Sequence, residues 1–399
     1  MKYLVINNLE HNAVLLLLAA LGCSNLASTQ DDKGTGGSNG GSMDNCTAAS
    51  CQFDTGGSEN DTTEHQTCTQ LEPSELSTWV AVQANPLIAL PSCPAWNCLG
   101  TSDPALAQHP DGSIHIWYVA GGDGNGPVLG HMVAPDARSP FTAQPDAPIN
   151  ASGPENRWDL YRETPSVLWD AEREEWHMWY LGYRISPFED PGIGHAFSRD
   201  PRGVLWEFDQ APIYRPRAGS WDSAFITGPS ALKKSSGEYA VYYSGAGTTI
   251  GIGLLTSPDG KTWSESEHNP VFERDLGSWD QGIIEPFVFN DSSSYWLFYS
   301  GYAEPLDVTT SEISIGLARS NNGLSFSRFG AEPVLNPGPQ GTWWDLKVPS
   351  PSVIRLDDCT LLMAAYGGSL DTKELVPFGQ IGLWRTPSSQ TAELAAGLE

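Results

Sequence analysis

Two acidic residues stand immediately before proline at the start of apolar strands: Asp103 in "SDPALA" and Glu285 in "IIEPFVF". A carboxylate entering a buried strand is expensive to desolvate, so such a residue invites a chemical reading. Paired carboxyls perform general acid–base chemistry when one stays protonated to donate and the other stays ionised to accept. Glu285, flanked by Ile283, Ile284 and Pro286, has the desolvated surroundings that raise a carboxyl toward an acid's working range. Asp103, beside Ser102 and Thr101, has hydroxyls suited to keeping it ionised. The expected roles are Glu285 as general acid and Asp103 as general base.

A repeat accounts for how these residues are positioned. Five segments align: "SDPALAQHPDGSIHIWYVAGG", "ETPSVLWDAEREEWHMWYLGY", "TGPSALKKSSGEYAVYYSGA", "IEPFVFNDSSSYWLFYSGY" and "PSPSVIRLDDCTLLMAAYGG". Each reads as proline, a short apolar strand, a polar turn, then an aromatic-rich strand ending near glycine. The prolines Pro104, Pro165, Pro229, Pro286 and Pro351 are 61, 64, 57 and 65 residues apart. Each unit continues with a Gly-containing strand such as "GIGHAFS" or "SIGLARS", and three units add a fourth strand before a "P-V/I" step. Four antiparallel strands repeated five times predict an all-β, five-bladed β-propeller. The last unit lacks its fourth strand, while "STWVAVQANPLIALP" near the N-terminus mirrors "KTWSESEHNPVFERD". The N-terminal strand is therefore expected to complete the last blade and close the ring.

Inner strands of a propeller start beside the central channel, so the residues before the five prolines should converge there. They are Asp103, Thr164, Gly228, Glu285 and Ser350, with the two acids on the first and fourth blades and the fifth blade between them. Further substrate-binding candidates are Tyr161, Arg162 and Glu163 in "YRETPS", Asp222 in "GSWDSAF", Thr227 in "FITGPS", and Lys347. Arg162 and Lys347 suit a sugar carboxylate or a phosphate, or else a salt bridge to local acids. The recurring pairs Trp158-Asp159, Trp221-Asp222, Trp279-Asp280 and Trp344-Asp345 read as structural, since they repeat at blade spacing. Alternation in runs such as "WHMWY" should turn every second residue inward. Sugar-stacking aromatics are sought on loops, at Tyr161, Tyr183, Tyr302 or Trp343, and His131 and His195 read as packing residues.

With "SDP", "IIEP" and the repeated "YSG…IGLA.S.DG..W" pattern in place, the chain resembles the five-bladed propeller glycosidases over about residues 77–387. These are the arabinanases, β-xylosidases, invertases and levansucrases, with the related mannoside phosphorylases. The resemblance implies a first-blade base or nucleophile (Asp103), a fourth-blade acid (Glu285), and a third carboxylate on the third blade. The third blade instead carries Thr227-Gly228, with Glu163 and Asp222 as substitutes outside the expected slot. The leading reading is a glycoside hydrolase acting on poly- or oligosaccharide. The alternatives are a non-catalytic carbohydrate-binding propeller and, on Arg162 or Lys347, a glycoside phosphorylase.

Composition bounds the remainder. Of 399 residues, 48 are acidic and 21 are Lys or Arg, for a net charge of −27, which disfavours nucleic acid as a partner. Residues 1–22 end in the apolar run "AVLLLLAALG" before Cys23 and resemble a lipoprotein signal, with Cys23 as the lipidated residue. The expectation is an extracytoplasmic, membrane-anchored monomer, periplasmic or at the cell surface, with a secreted form as the alternative. Residues 23–76 read as a Ser/Gly/Asp-rich tether and 77–399 as the propeller domain. Without Cys23 six cysteines remain, an even number suited to disulfides, and Cys93 and Cys98 form the expected local pair. No P-loop, HExxH or nucleophile elbow occurs and no His pair sits at ligand spacing near the cysteines, so no metal or cofactor is expected; a structural calcium in the channel has no sequence signal.

Overall fold

The computed structural model describes Cys68, Leu71 and residues 73–387, apart from 83–84, 90–94, 122–126, 150–156, 185–189, 292, 308–309 and 370–378. The signal, Cys23, most of the tether and Cys93 lie outside the described residues. The described part is all-β, with one 3₁₀ turn at Pro73–Leu76. β1 (Val80–Ala81) precedes the blades. Blade 1 holds β2 (Gly100–Gln108), β3 (Ile114–Gly121), β4 (Val128–Ala134) and β5 (Thr142–Ala143). Blade 2 holds β6 (Tyr161–Asp170), β7 (Glu175–Tyr183), β8 (Gly192–Ser198) and β9 (Glu207–Phe208). Blade 3 holds β10 (Phe225–Lys233), β11 (Tyr239–Ala246), β12 (Ile250–Ser257), β13 (Ser264–Glu265) and β14 (Phe272–Glu273). Blade 4 holds β15 (Gly282–Asn290), β16 (Tyr295–Tyr302), β17 (Ile313–Ser320) and β18 (Ser327–Arg328). Blade 5 holds β19 (Ser352–Arg355), β20 (Leu361–Gly367) and β21 (Gln380–Arg385), and takes β1 as its outer strand.

Closure follows the expected route. Val80 pairs with Arg385 and Ala81 with Trp384, both antiparallel. Asn85 then clamps β21, its Nδ2 donating to Leu383 O at 2.7 Å and its Oδ1 accepting from Leu383 N at 2.7 Å. Asn269 makes the same two bonds to Leu254 of β12, at 3.1 and 2.8 Å. The "ANP" and "HNP" segments are thus one structural device used at two places in the ring.

The core is five apolar clusters, one between each pair of adjacent blades. Because the blades stack face to face, the second strands bury both faces: every residue of β3, β7, β11 and β20 is buried. This corrects the expectation that only every second residue of the aromatic runs faces inward. Inner strands are stapled across blades by the serine after proline. Ser166 Oγ accepts from Ala231 N, Ser230 Oγ from Val288 N and Ser352 Oγ from Leu106 N, at 2.8–2.9 Å.

The Trp-Asp motifs explain the recurrent glycines. Asp159, Asp222 and Asp280 are fully buried and accept hydrogen bonds from Tyr180, Tyr243 and Tyr299 of the second strands, at 2.8, 3.0 and 2.8 Å. A Cβ at Gly182, Gly245 or Gly301 would overlap the adjoining tryptophan. In blade 5 the residues filling those places against Gly367 are Trp343 and Trp344, one position earlier than the sequence alignment had them. Trp343 is therefore packed within the blade. Two histidine pairs bridge second and third strands, His115–His131 at 3.0 Å and His177–His195 at 2.9 Å. Burial pushes His115 and His177 down to about 3 and His131 to about 4, as packed neutral imidazoles require.

The end of the expected tether is packed rather than free: Leu71 and Leu76 are buried between blades 4 and 5. Cys68 is disulfide-bonded to Cys359. Cys98 is also disulfide-bonded, with its partner outside the described residues.

Candidate active site

All five residues before the aligned prolines adopt left-handed backbone: Asp103 (φ 49°), Thr164 (48°), Gly228 (55°), Glu285 (53°) and Ser350 (57°). A following proline pushes its predecessor toward extended geometry, and left-handed backbone costs a non-glycine residue about 1–2 kcal/mol. The strain is the price of aim. At Asp103, Thr164, Gly228 and Glu285 the inner strand skips register against its neighbour and turns the residue into the channel. The five residues and their prolines ring a cavity of about 40 Å³. By that measure it has room for a few waters.

Thr164 tests this view of strain. It is β-branched, and its buried hydroxyl has no partner among the described residues. Thr164→Gly is expected to stabilise the protein by about 1 kcal/mol, as relief of strain and of an unpaired hydroxyl outweighs the entropy of glycine. Calorimetry should show a rise in Tm of about 2 °C.

Asp103 and Glu285 meet across the fifth blade. Ser102 Oγ donates to Asp103 Oδ2 and Ser350 Oγ to Asp103 Oδ1, each at 2.7 Å. Ser300 Oγ donates to Glu285 Oε2 at 2.9 Å. The Glu285 N–H donates to Ser244 Oγ at 2.7 Å. Ser350, whose N–H donates to Ser300 Oγ at 2.9 Å, thus lies between the two carboxyls. Burial and the charge of Asp103 push Glu285 up to about 7. Burial also raises Asp103, against the pull of Ser102, Ser350 and Lys347.

A third carboxyl comes from blade 2. Glu163 is buried and accepts from the Tyr183 hydroxyl at 2.8 Å. Burial, with the Asp103 charge adding to it and Tyr183 opposing, lifts Glu163 to about 8, so it is protonated at neutral pH. Tyr161 packs its ring 5.5 Å from that of Tyr183. Lys347 is buried beside Glu285 and Asp103; burial lowers it to about 8 against the attraction of those carboxylates and Asp307. Its Nζ lies 5.7 Å from the Tyr366 ring centroid. The buried Thr227 hydroxyl has no partner among the described residues.

Two expected binding residues lie elsewhere. Arg162 turns along its blade, donating to Asp159 Oδ2 at 2.9 Å with its guanidinium 3.9 Å from the Phe208 ring centroid. The salt-bridge alternative is the geometry found. Asp222 accepts from Tyr214, Tyr243 and Ser220 inside blade 3. In the third-blade slot, a Cβ at Gly228 would stand 3.0 Å from Glu285 Cα, so a side chain there needs the Glu285 backbone to give by a small fraction of an ångström.

Sequence reasoning missed Ser300, Ser244 and Tyr366. The signal was the residue before the second-strand glycine in "YSG". Serine there serves the next blade, and in blade 5 Tyr366 replaces it, near enough to feel both Asp103 and Glu285. Among the described residues no cluster of three or more His, Cys, Asp or Glu is arranged to hold a metal.

The fold is a five-bladed β-propeller. Solved structures with this architecture include a glycosyl hydrolase from Bacteroides ovatus, 16% identical, covering 80% of this chain and 96% of that one, with a TM-score of 0.59. Another comes from the mannoside phosphorylase family that contains hydrolases of β-1,2 mannosidic linkages in Candida mannan, at 19% identity, coverage of 77% and 93%, and a TM-score of 0.57. An exo-1,5-α-L-arabinanase from a bovine ruminal metagenomic library is 16% identical, with coverage of 74% and 94% and a TM-score of 0.51. No protein-family model and no curated protein matches the sequence. At these identities the likeness establishes the fold.

Proposed function

We propose that the protein is a glycoside hydrolase, with Glu285 as general acid and Asp103 as general base at the mouth of the channel. The observation that carries this reading is a pair of buried carboxyls near enough to feel each other's charge: burial and Asp103 push Glu285 up to about 7, and the hydroxyls of Ser102 and Ser350 donate to Asp103 at 2.7 Å. A carboxyl raised by a neighbouring carboxylate suits the acid role, and the ionised neighbour the base role. Glu285 donates its proton to the glycosidic oxygen as the C–O bond breaks, and Asp103 takes a proton from the attacking water. Since burial and Asp103 already raise Glu285, the acid is tuned without a third-blade carboxylate. Protonated Glu163 is suited to donating to a sugar hydroxyl.

A phosphorylase calls for converging cations. Lys347 stands with the carboxyls while Arg162 is held by Asp159, which favours water over phosphate as the acceptor. The test is a pH–rate profile on a cleaved glycan. Activity should fall as pH rises through about 7, when Glu285 loses its proton. It should also fall on the acid side, as Asp103 becomes protonated. A rate that keeps climbing above pH 8 contradicts the assignment of the acid.

A further inference from the structure

The blades repeat one plan, so a place that one of them leaves empty stands out. At the outer edge of blades 2, 3 and 4, the residues paired with Ala196, Leu255 and Ala318 are Phe208, Glu265 and Arg328. Two of these pack back onto their blades. Phe208 sets its ring 5.6 Å from that of Tyr180 and against the Arg162 guanidinium. Arg328 lies 4.6 Å from the Phe272 ring centroid and donates to Asp280 Oδ2 at 2.7 Å. In blade 3, Glu265 instead pairs with the exposed Arg217. Asp222, the counterpart of Asp280, takes the Tyr214 hydroxyl at 2.6 Å in place of an arginine. At this place lies a cavity of about 430 Å³, lined by Ile213, Tyr214, Leu255 and half-buried Trp263 and by the Arg217–Glu265 pair.

We propose that this cavity is a second glycan-binding site, holding a neutral sugar unit of a polysaccharide at the rim of the ring. This inference rests on the reading of the protein as one that handles glycans, and not on the acid–base assignment. The volume is that of a small-molecule pocket. The aromatic and aliphatic lining suits the C–H face of a sugar ring, while the guanidinium and carboxylate supply donors and acceptors for its hydroxyls. Trp263 is held in place, its Nε1 donating to Gly260 O at 3.3 Å and its ring meeting that of Trp179 in a T-shape at 6.2 Å. A neutral unit fits because Arg217 and Glu265 offset each other, and Arg215 beside them is held by Asp190. The site also lies level with the mouth. Tyr214 bridges to Ile193, Ile193 pairs with Leu181, and Leu181 with Glu163. Three strand spacings set Tyr214 about 14 Å outward from β6. A polymer caught at the rim therefore stays near the carboxyls, which raises its effective concentration at the mouth.

The test is hydroxyl-radical footprinting of the full chain, read by mass spectrometry, with soluble arabinan, xylan, fructan or mannan added in turn. Oxidation of Trp263 should slow roughly threefold with at least one of them, as a stacked sugar covers the indole face. Glu265→Arg and Glu265→Phe give blade 3 the side chains that blades 4 and 2 carry at this place, and should fill the cavity. Both should abolish the protection of Trp263 and weaken binding of the same glycan about tenfold in affinity electrophoresis, as one of two attachment points is lost. Protection of Tyr161 while Trp263 oxidises as before overturns the rim site and leaves the hydrolase reading intact. Protection of Trp263 that persists in both variants overturns the placement in this cavity, and protection by none of the four glycans overturns the site outright. Protection of Trp263 without cleavage of any glycan upholds the site and counts against the hydrolase reading.

Discussion

Glu285→Gln lowers kcat/KM on a polysaccharide by about 10²–10⁴-fold, the usual contribution of a positioned general acid. Glutamine keeps the shape and still accepts from Ser300, so folding is preserved while the transferable proton is lost. The loss should nearly vanish on aryl glycosides whose leaving group departs without protonation, such as dinitrophenyl glycosides. Asp103→Asn should lose a similar factor on both substrates, because water must be activated in either case. Asparagine can still accept from one of Ser102 and Ser350 and donate to the other, whose hydroxyl turns to accept, which keeps the local geometry. Steady-state kinetics on the two substrate types separate the roles. Equal losses for both variants on both substrates would contradict the division into acid and base.

Asp159→Ala destabilises the protein by about 3–5 kcal/mol, the effect of removing one partner from a buried ion pair. Asp159 is fully buried and accepts from Arg157 at 2.6 and 3.0 Å, Arg162 at 2.9 Å and Tyr180 at 2.8 Å. Burial opposes its charge, but the bonds from Arg157 and Arg162 outweigh burial and hold the carboxyl below its ordinary value. Without it, buried Arg162 loses this carboxylate and Tyr180 an acceptor. Denaturant unfolding should show the shift in midpoint. A change under 1 kcal/mol would mean that Arg162 finds another partner, and would reopen its role at the mouth.

Most of the architecture was legible because a propeller writes the same physics five times. Pro104, Pro165, Pro229, Pro286 and Pro351 each follow a left-handed residue, and Asn85 with Asn269 marks equivalent clamps. Repetition also marked structural residues: Asp159, Asp222 and Asp280 recur and bond tyrosines, although Asp222 was also read as a binding candidate.

What repetition could not convey is direction. Arg162 and Glu163 are adjacent in β6 and therefore face opposite sides, and only the structure shows that the acid faces the channel. Spacing placed Trp344-Asp345 with the other Trp-Asp pairs, but packing against Gly367 chose Trp343 and Trp344. Ser350 was legible as a slot residue, but its bond to Asp103 of blade 1 is set by ring closure. The close approach of Gly228 to the Glu285 backbone in the third-blade slot is likewise visible only in the structure.

The most direct test of the account is to incubate wild type, Glu285→Gln and Asp103→Asn with arabinan, xylan, fructan, mannan and aryl glycosides, and to measure released sugar with and without inorganic phosphate. The account predicts phosphate-independent cleavage of at least one of these by wild type, with the polysaccharide activity lost in both variants. Glycan binding by all three proteins with no cleavage would contradict it, leaving a carbohydrate-binding propeller in which Glu285 and Asp103 do no chemistry.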